Sequence, residues 1–308
     1  MPKGEDPARI HATANTRKLI DWAVTAVSQP LPEAVRRRAA TILADDVGAI
    51  VAGSLEPQVA RAREGLTRTA SGAGEATVLA PGAPRVDRYS AASANGLAIT
   101  WCELDEGFRN ASCHGGAYTI PALLAEAEAR GLTVEEVLRA LAVAYEVTTR
   151  FALAFPFPVF NVHPHAAFAP IGAAAAASLA RRHDAKTMLD AVTGGASMSF
   201  AGPFDTAVEG ALVRNAWTSA GAWLGLRAAD WAEAGIGGGA VTPYDVFVGS
   251  FSTRALPEAL IDGLGTTWSV ANGYHKIFAC CGYSHSAVEA TLELLGRLRD
   301  RKMDDIAE

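Results

Sequence analysis

The stretch Thr133–Phe155, TVEEVLRALAVAYEVTTRFALAF, decides the fold of this chain. Thr133 and Glu136 have the spacing of a capping box, and an apolar run at three- and four-residue intervals follows, so the segment reads as one long helix. Working outward, LPEAVRRRAATILADDVGAIVAGS (Leu31–Ser54) opens with Pro32 where a helix tolerates proline and ends near Gly53. Arg88–Leu104 repeats the pattern with many small residues, which lets helices approach closely, and IPALLAEAEARG ends on a glycine cap at Gly131. Further helices are expected over Ala167–Arg182, Ala185–Phe200, Glu209–Ala234 and Ser284–Arg299. The fold class is mainly α.

Strand signals are few: ATVLA near Ala76 and YDVFVGSF near Tyr244. GIGGGA (Gly235–Ala240) follows a helix and not a strand, so it is a turn and no dinucleotide fingerprint. Composition changes only near Leu256–Asn272, where glycine, threonine and proline interrupt the helices. A domain boundary is expected there.

Half of the 308 residues are hydrophobic, enough for a sizeable core. A net charge of −6 with scattered lysine and arginine lacks the basic footprint of a nucleic-acid binder. The N-terminus is charged from its first residues and has no apolar secretory core, so a cytoplasmic location is expected. FAPIGAAAAASLA (Phe168–Ala180) is shorter than the roughly 20 strongly apolar residues that span a bilayer, and no membrane partner is expected. Four cysteines without CxxC spacing argue against a disulfide framework.

The unusual polar residues fall in four connections between helices. They hold Asp105 and His114, His163 and His165, Asp205 and Arg214, and finally His275, Lys276, Cys280, Cys281 and His285. A histidine near an aspartate makes a general base whose tautomer the carboxylate fixes, and a lysine or arginine holds a substrate carboxylate. Each is otherwise an ordinary cap or surface residue. His163 and His165 with His114 and Cys113 offer a zinc set, but at no established ligand spacing, so no metal is expected. Cys113 or Cys281 as a nucleophile competes with the plainer reading of cysteine as a small hydrophobe.

ANGLAITWCELDEG, CHGGAYTIPALLAEAEARG, AYEVTTRFA, HPHAAFAPIGAAAAASLA, EGALVRNAWTSAGAWLGL and KIFACCGYSHSAVEATLEL, in that order, resemble the MmgE/PrpD family. That family includes 2-methylcitrate dehydratases, cis-aconitate decarboxylase and iminodisuccinate epimerase. The resemblance runs from about Leu31 onward. It implies a cofactor-independent lyase or isomerase of small di- or tricarboxylates, a homodimer, and a large helical domain with a smaller α/β lid. On that basis residues 1–271 are expected to form the helical domain and 272–308 the beginning of the lid. The family's catalytic positions fall on Asp105, His114, His163 and Lys276, with Arg214, Lys276 and His285 as candidate holders of substrate. Where relatives carry a lysine this chain has Asp205, and where the decarboxylase has a histidine it has Cys281, a thiol suited to one of two opposed acid/base groups in an epimerase. A non-catalytic helical scaffold is the alternative from another class. Family members run well past 400 residues, so these 308 alone are expected to turn over weakly.

Overall fold

The computed structural model of the chain describes residues 6–70 and 74–297. Among these are twelve α-helices and two two-stranded ribbons. The helices are α1 (Pro7–Ala26), α2 (Glu33–Ser54), α3 (Pro57–Thr69), α4 (Arg88–Ile99), α5 (Gly115–Arg130), α6 (Val134–Ala154), α7 (Pro164–Ala180), α8 (Ala185–Ser197), α9 (Phe204–Val208), α10 (Val213–Glu233), α11 (Thr242–Phe247) and α12 (His285–Arg297). The ribbons pair β1 (Ala76–Thr77) with β2 (Arg85–Val86) and β3 (Gly107–Phe108) with β4 (Gly273–Tyr274), both antiparallel. No helix among the described residues is long and apolar enough to cross a membrane.

The central element is α7, every residue of which is buried. Its alanines carry no side-chain entropy cost, and their small size lets neighbours close in. On α10, Gly221 and Gly225 face Ala169 and Ala173; a Cβ on Gly225 would stand 2.4 Å from that of Ala173. Pro170 lies inside α7 and removes the bond to the Ala166 carbonyl. Phe200 N–H supplies the missing donor at 3.3 Å, so the helix runs on without an orphaned acceptor.

The capping box at Thr133 and Glu136 is present, with α6 running from Val134. YDVFVGSF is not a strand: Thr242–Phe247 is helical, with a proline in its first turn. Phe247 from this turn stacks on Phe155 and Phe168 at 5.2 Å each, and that packing outweighs the β-propensity of the run. α4 stops at Ile99, short of the expected Leu104, freeing residues 100–106. Glu209–Ala234 is broken at Gly210, whose φ of 78° ends one short helix before α10 begins. Of Ser284–Arg299, the last two residues lie outside the described ones, and α12 has no buried residue.

The stretch marked by its composition, Leu256–Asn272, is clamped to the bundle. Arg150, paired with Glu146 at 2.8 Å, donates to the carbonyls of Ala259 and Asp262, and Ser269 N–H donates to Glu146 at 2.6 Å. This delivers β4 to β3.

Candidate active site

Three helices aim their N-termini at one place. His114 caps α5, His163 caps α7, and Arg214 is the second residue of α10. The ring of His165 joins them, 5.0 Å from that of His114, 4.4 Å from that of His163, and with its Nε2 3.3 Å from Arg214 Nη1. At the opposite ends Arg181, the cap of α7, binds Glu126 of α5 at 2.6 Å and Asp230 of α10 at 2.8 Å. The three therefore run in the same direction. Their dipoles favour an anion at the histidine end, and Arg181 offsets the carbonyl end.

α4 runs the other way and delivers the loop that closes the site. In the β3–β4 ribbon Gly107 pairs with Tyr274 and Phe108 with Gly273. Carried two residues further, this antiparallel register sets Lys276 opposite Asp105. Lys276 Nζ lies 3.3 Å from Asp105 Oδ1 and 3.0 Å from Glu103 Oε2, with its side chain 1% exposed. Glu103 also pairs with Arg214. Glu103 has a φ of 54°, in the left-handed region that a non-glycine residue seldom adopts.

His114 Nδ1 lies 2.8 Å from the Glu106 carbonyl and 2.7 Å from Asp105 Oδ2. Hydrogen-bond direction is met only at the carbonyl, so Nδ1 carries the proton and Asp105 acts on the ring through its charge. Nε2 is then the lone-pair nitrogen. Burial would raise the Asp105 carboxyl, but Lys276 and His114 draw it down to about 2. His163 Nδ1 accepts from His165 N–H at 3.2 Å, which leaves its Nε2 as a donor. Burial, with the nearby charge of His114, pushes His163 down to about 3 against the pull of Asp105, so it is neutral. Arginine can only donate, so His165 Nε2 accepts from Arg214 and His165 Nδ1–H donates to Tyr118 Oη at 2.9 Å. Burial lowers His165 strongly as well.

Beneath this layer lies a buried carboxyl pair. Asp46 Oδ1 accepts from Glu106 N–H at 2.9 Å, and Glu106 accepts from Gly116 N–H at 2.5 Å and Tyr145 Oη–H at 3.0 Å. Burial pushes both acids up, Glu106 to about 7; the charge of Glu106 raises Asp46 further, and that of Asp105 raises Glu106. The folded protein thus holds a proton that the unfolded chain releases above its ordinary 4.5. The contribution to stability is full below about pH 4.5 and lost as pH rises through about 7. His163 and His165 act in the opposite sense, so the informative quantity is a difference between proteins. Glu106→Gln is expected to gain on the wild type by about 3 kcal/mol between pH 5 and pH 8. Thermal melts at the two pH values measure it, and parallel wild-type and variant curves would contradict it.

Of the residues expected from the sequence, Asp105, His114, His163, Lys276 and Arg214 come together. Cys281 is exposed, close enough that its charge would favour that of Arg214, which burial pushes down. His285 stands apart at the start of α12, its ring 5.3 Å from that of Phe278 and without a contact to the cluster among the described residues. Asp205 is exposed on α9. Glu103, Glu106, Asp46 and Tyr118 are site residues that the sequence did not single out. His275 binds Asp45 at 2.7 Å. Among the described residues no three of His, Cys, Asp or Glu gather as a metal-ligand set.

Neutral His163 and His165, a low-lying aspartate and two cations gather where three helix N-termini converge, and they form the candidate acid–base site. The chain belongs to the MmgE/PrpD family: the pattern of the MmgE/PrpD N-terminal domain matches residues 17–251. It is similar to cis-aconitate decarboxylase of Aspergillus terreus, with 26% identity over 300 residues, which cover 92% of this chain and 60% of that protein. The chain thus spans about three-fifths of the length of the curated relative it matches.

Proposed function

We propose that the chain supplies the acid–base groups of a cofactor-independent lyase acting on a small di- or tricarboxylate. The observation that carries this reading is the fixed tautomer of His114. Its Nε2 lone pair is free to take a proton from the carbon α to a carboxylate, and Asp105 stabilises the imidazolium that results. Arg214 and Lys276 hold substrate carboxylates, and His163 Nε2–H donates to the oxygen on which charge develops. In a dehydration the β-hydroxyl then leaves as water, carrying the proton that Lys276 is placed to give. In a decarboxylation carbon dioxide leaves and the carbanion takes a proton from Lys276. The likeness to a decarboxylase supports this class of reaction without naming the acid. Family membership supports two further readings, a smaller lid domain that starts at residue 272 and a homodimer as the active unit.

The test is incubation with 2-methylcitrate and with cis-aconitate in heavy water. Loss of water, loss of carbon dioxide or deuterium at the α-carbon, followed by NMR, supports the reading. No change in any of these with either acid, although both bind, points to a non-catalytic scaffold.

The exposed Cys281 beside Arg214 favours a second reading, an epimerase with His114 and the thiol on opposite faces of the substrate carbon. That mechanism predicts α-deuteration without loss of water, and Cys281→Ser is expected to slow it at least tenfold. Exchange unaffected by Cys281→Ser removes the thiol from the mechanism.

A further inference from the structure

A second cleft, of about 340 Å³, lies at the opposite end of α7 from the histidines. Its walls are Val24, Val27, Leu132 and Leu179, and its polar lining includes Arg139 and His183. Seventeen helical residues separate the two ends, about 25 Å at 1.5 Å per residue. The cleft is not part of the site above.

Two buried nitrogens in it lack partners: Arg139 Nε and His183 Nδ1. Arg139 is half-buried and has no carboxylate within salt-bridge reach among the described residues. The other charges here are committed. Glu136 accepts from Thr133 and pairs with Arg182, while Glu233 holds His183 Nε2 at 2.8 Å and Arg181 at 3.1 Å. Arg182 itself follows the cap of α7 with a φ of 57°, a position where glycine carries no steric cost, yet the chain keeps a cation at the rim. The cleft therefore combines an uncompensated guanidinium, a buried imidazole nitrogen without a partner, and an apolar wall. A guanidinium without an ion pair beside an apolar wall is the complement of an anion that carries an apolar chain.

We propose that this cleft binds a small organic monoanion, a carboxylate with a short apolar chain. The carboxylate sits on the planar fork of Arg139, with the chain along Val24, Val27, Leu132 and Leu179.

The probe is hexanoate, with hexan-1-ol supplying the chain without charge and inorganic phosphate the charge without chain. Methyl resonances of Val24, Val27, Leu132 and Leu179 are expected to shift saturably with hexanoate, and to require at least tenfold more of either control. Arg139→Gln, which breaks no side-chain hydrogen bond or ion pair among the described residues, should weaken hexanoate at least tenfold. Val27→Trp, filling the cleft, should abolish the shifts. In His114→Gln the same shifts should persist, because the two sites are separate. Affinity unchanged by Arg139→Gln, or phosphate binding as tightly as hexanoate, would overturn the proposal. Methyls that ignore hexanoate but respond to protein concentration would also overturn it, assigning the cleft to a second copy of the chain.

Discussion

His114→Gln is expected to slow deuterium incorporation at the α-carbon of a bound di- or tricarboxylate by about 10²–10⁴-fold, the usual worth of a positioned general base. Glutamine is a poor base at any pH, whereas its amide can still reach the Glu106 carbonyl, so the loop should keep its shape. Binding should change little, because the proposed carboxylate holders, Arg214 and Lys276, are positioned by Glu103 and not by His114. His163→Gln serves as the comparison. His163 is neutral and a donor at Nε2, so its loss should lower the rate while leaving the base in place. Exchange over hours by proton NMR detects even slow turnover. A rate in His114→Gln within threefold of the wild type would remove His114 from the role of base.

The helical fold was legible because it is written in local spacing. The capping box at Thr133 and Glu136 and the glycine stop at Gly131 report on neighbours three to six residues away, and both stand as expected. YDVFVGSF misled because Val246, Phe247 and Val248 have β-propensity, and only distant Phe155 and Phe168 make a helical turn the better packing. The site divides on the same line. Asp105 and His114 share one loop, but Lys276 reaches Asp105 across 171 positions through a ribbon of two residues per strand, too short to leave an alternating pattern. Family resemblance, not periodicity, picked it out. Asp46 did leave a signal: it lies four residues from both Ile42 and Ile50, on the buried stripe of α2, where a carboxylate is out of place. His165 was visible only as a polar loop residue and metal candidate beside His163, because its contacts are with Tyr118 and Arg214, 47 and 49 positions away.

Glu103→Gln is expected to tighten the binding of small di- and tricarboxylates about tenfold, or about 1.4 kcal/mol. The side chain of Glu103 bridges Arg214 and Lys276, the two cations best placed to hold a substrate. An internal carboxylate thus occupies the position a substrate carboxylate needs, and the left-handed backbone at Glu103 is the cost of putting it there. A ligand must displace it, so part of the binding energy goes into breaking those pairs. Glutamine removes the competing charge while keeping the shape. Without ligand the variant should be less stable by about 1–3 kcal/mol: a broken buried pair costs more, but Glu103 is 21% exposed and Lys276 keeps Asp105. Citrate should then restore the melting temperature further in the variant than in the wild type, because a ligand that binds only the folded state stabilises it in proportion to its affinity. Calorimetry and melting curves with and without citrate measure both halves. Weaker binding in Glu103→Gln would mean that Glu103 orders the cations for substrate and does not compete with it, and the substrate carboxylate would then have to lie elsewhere in the cleft.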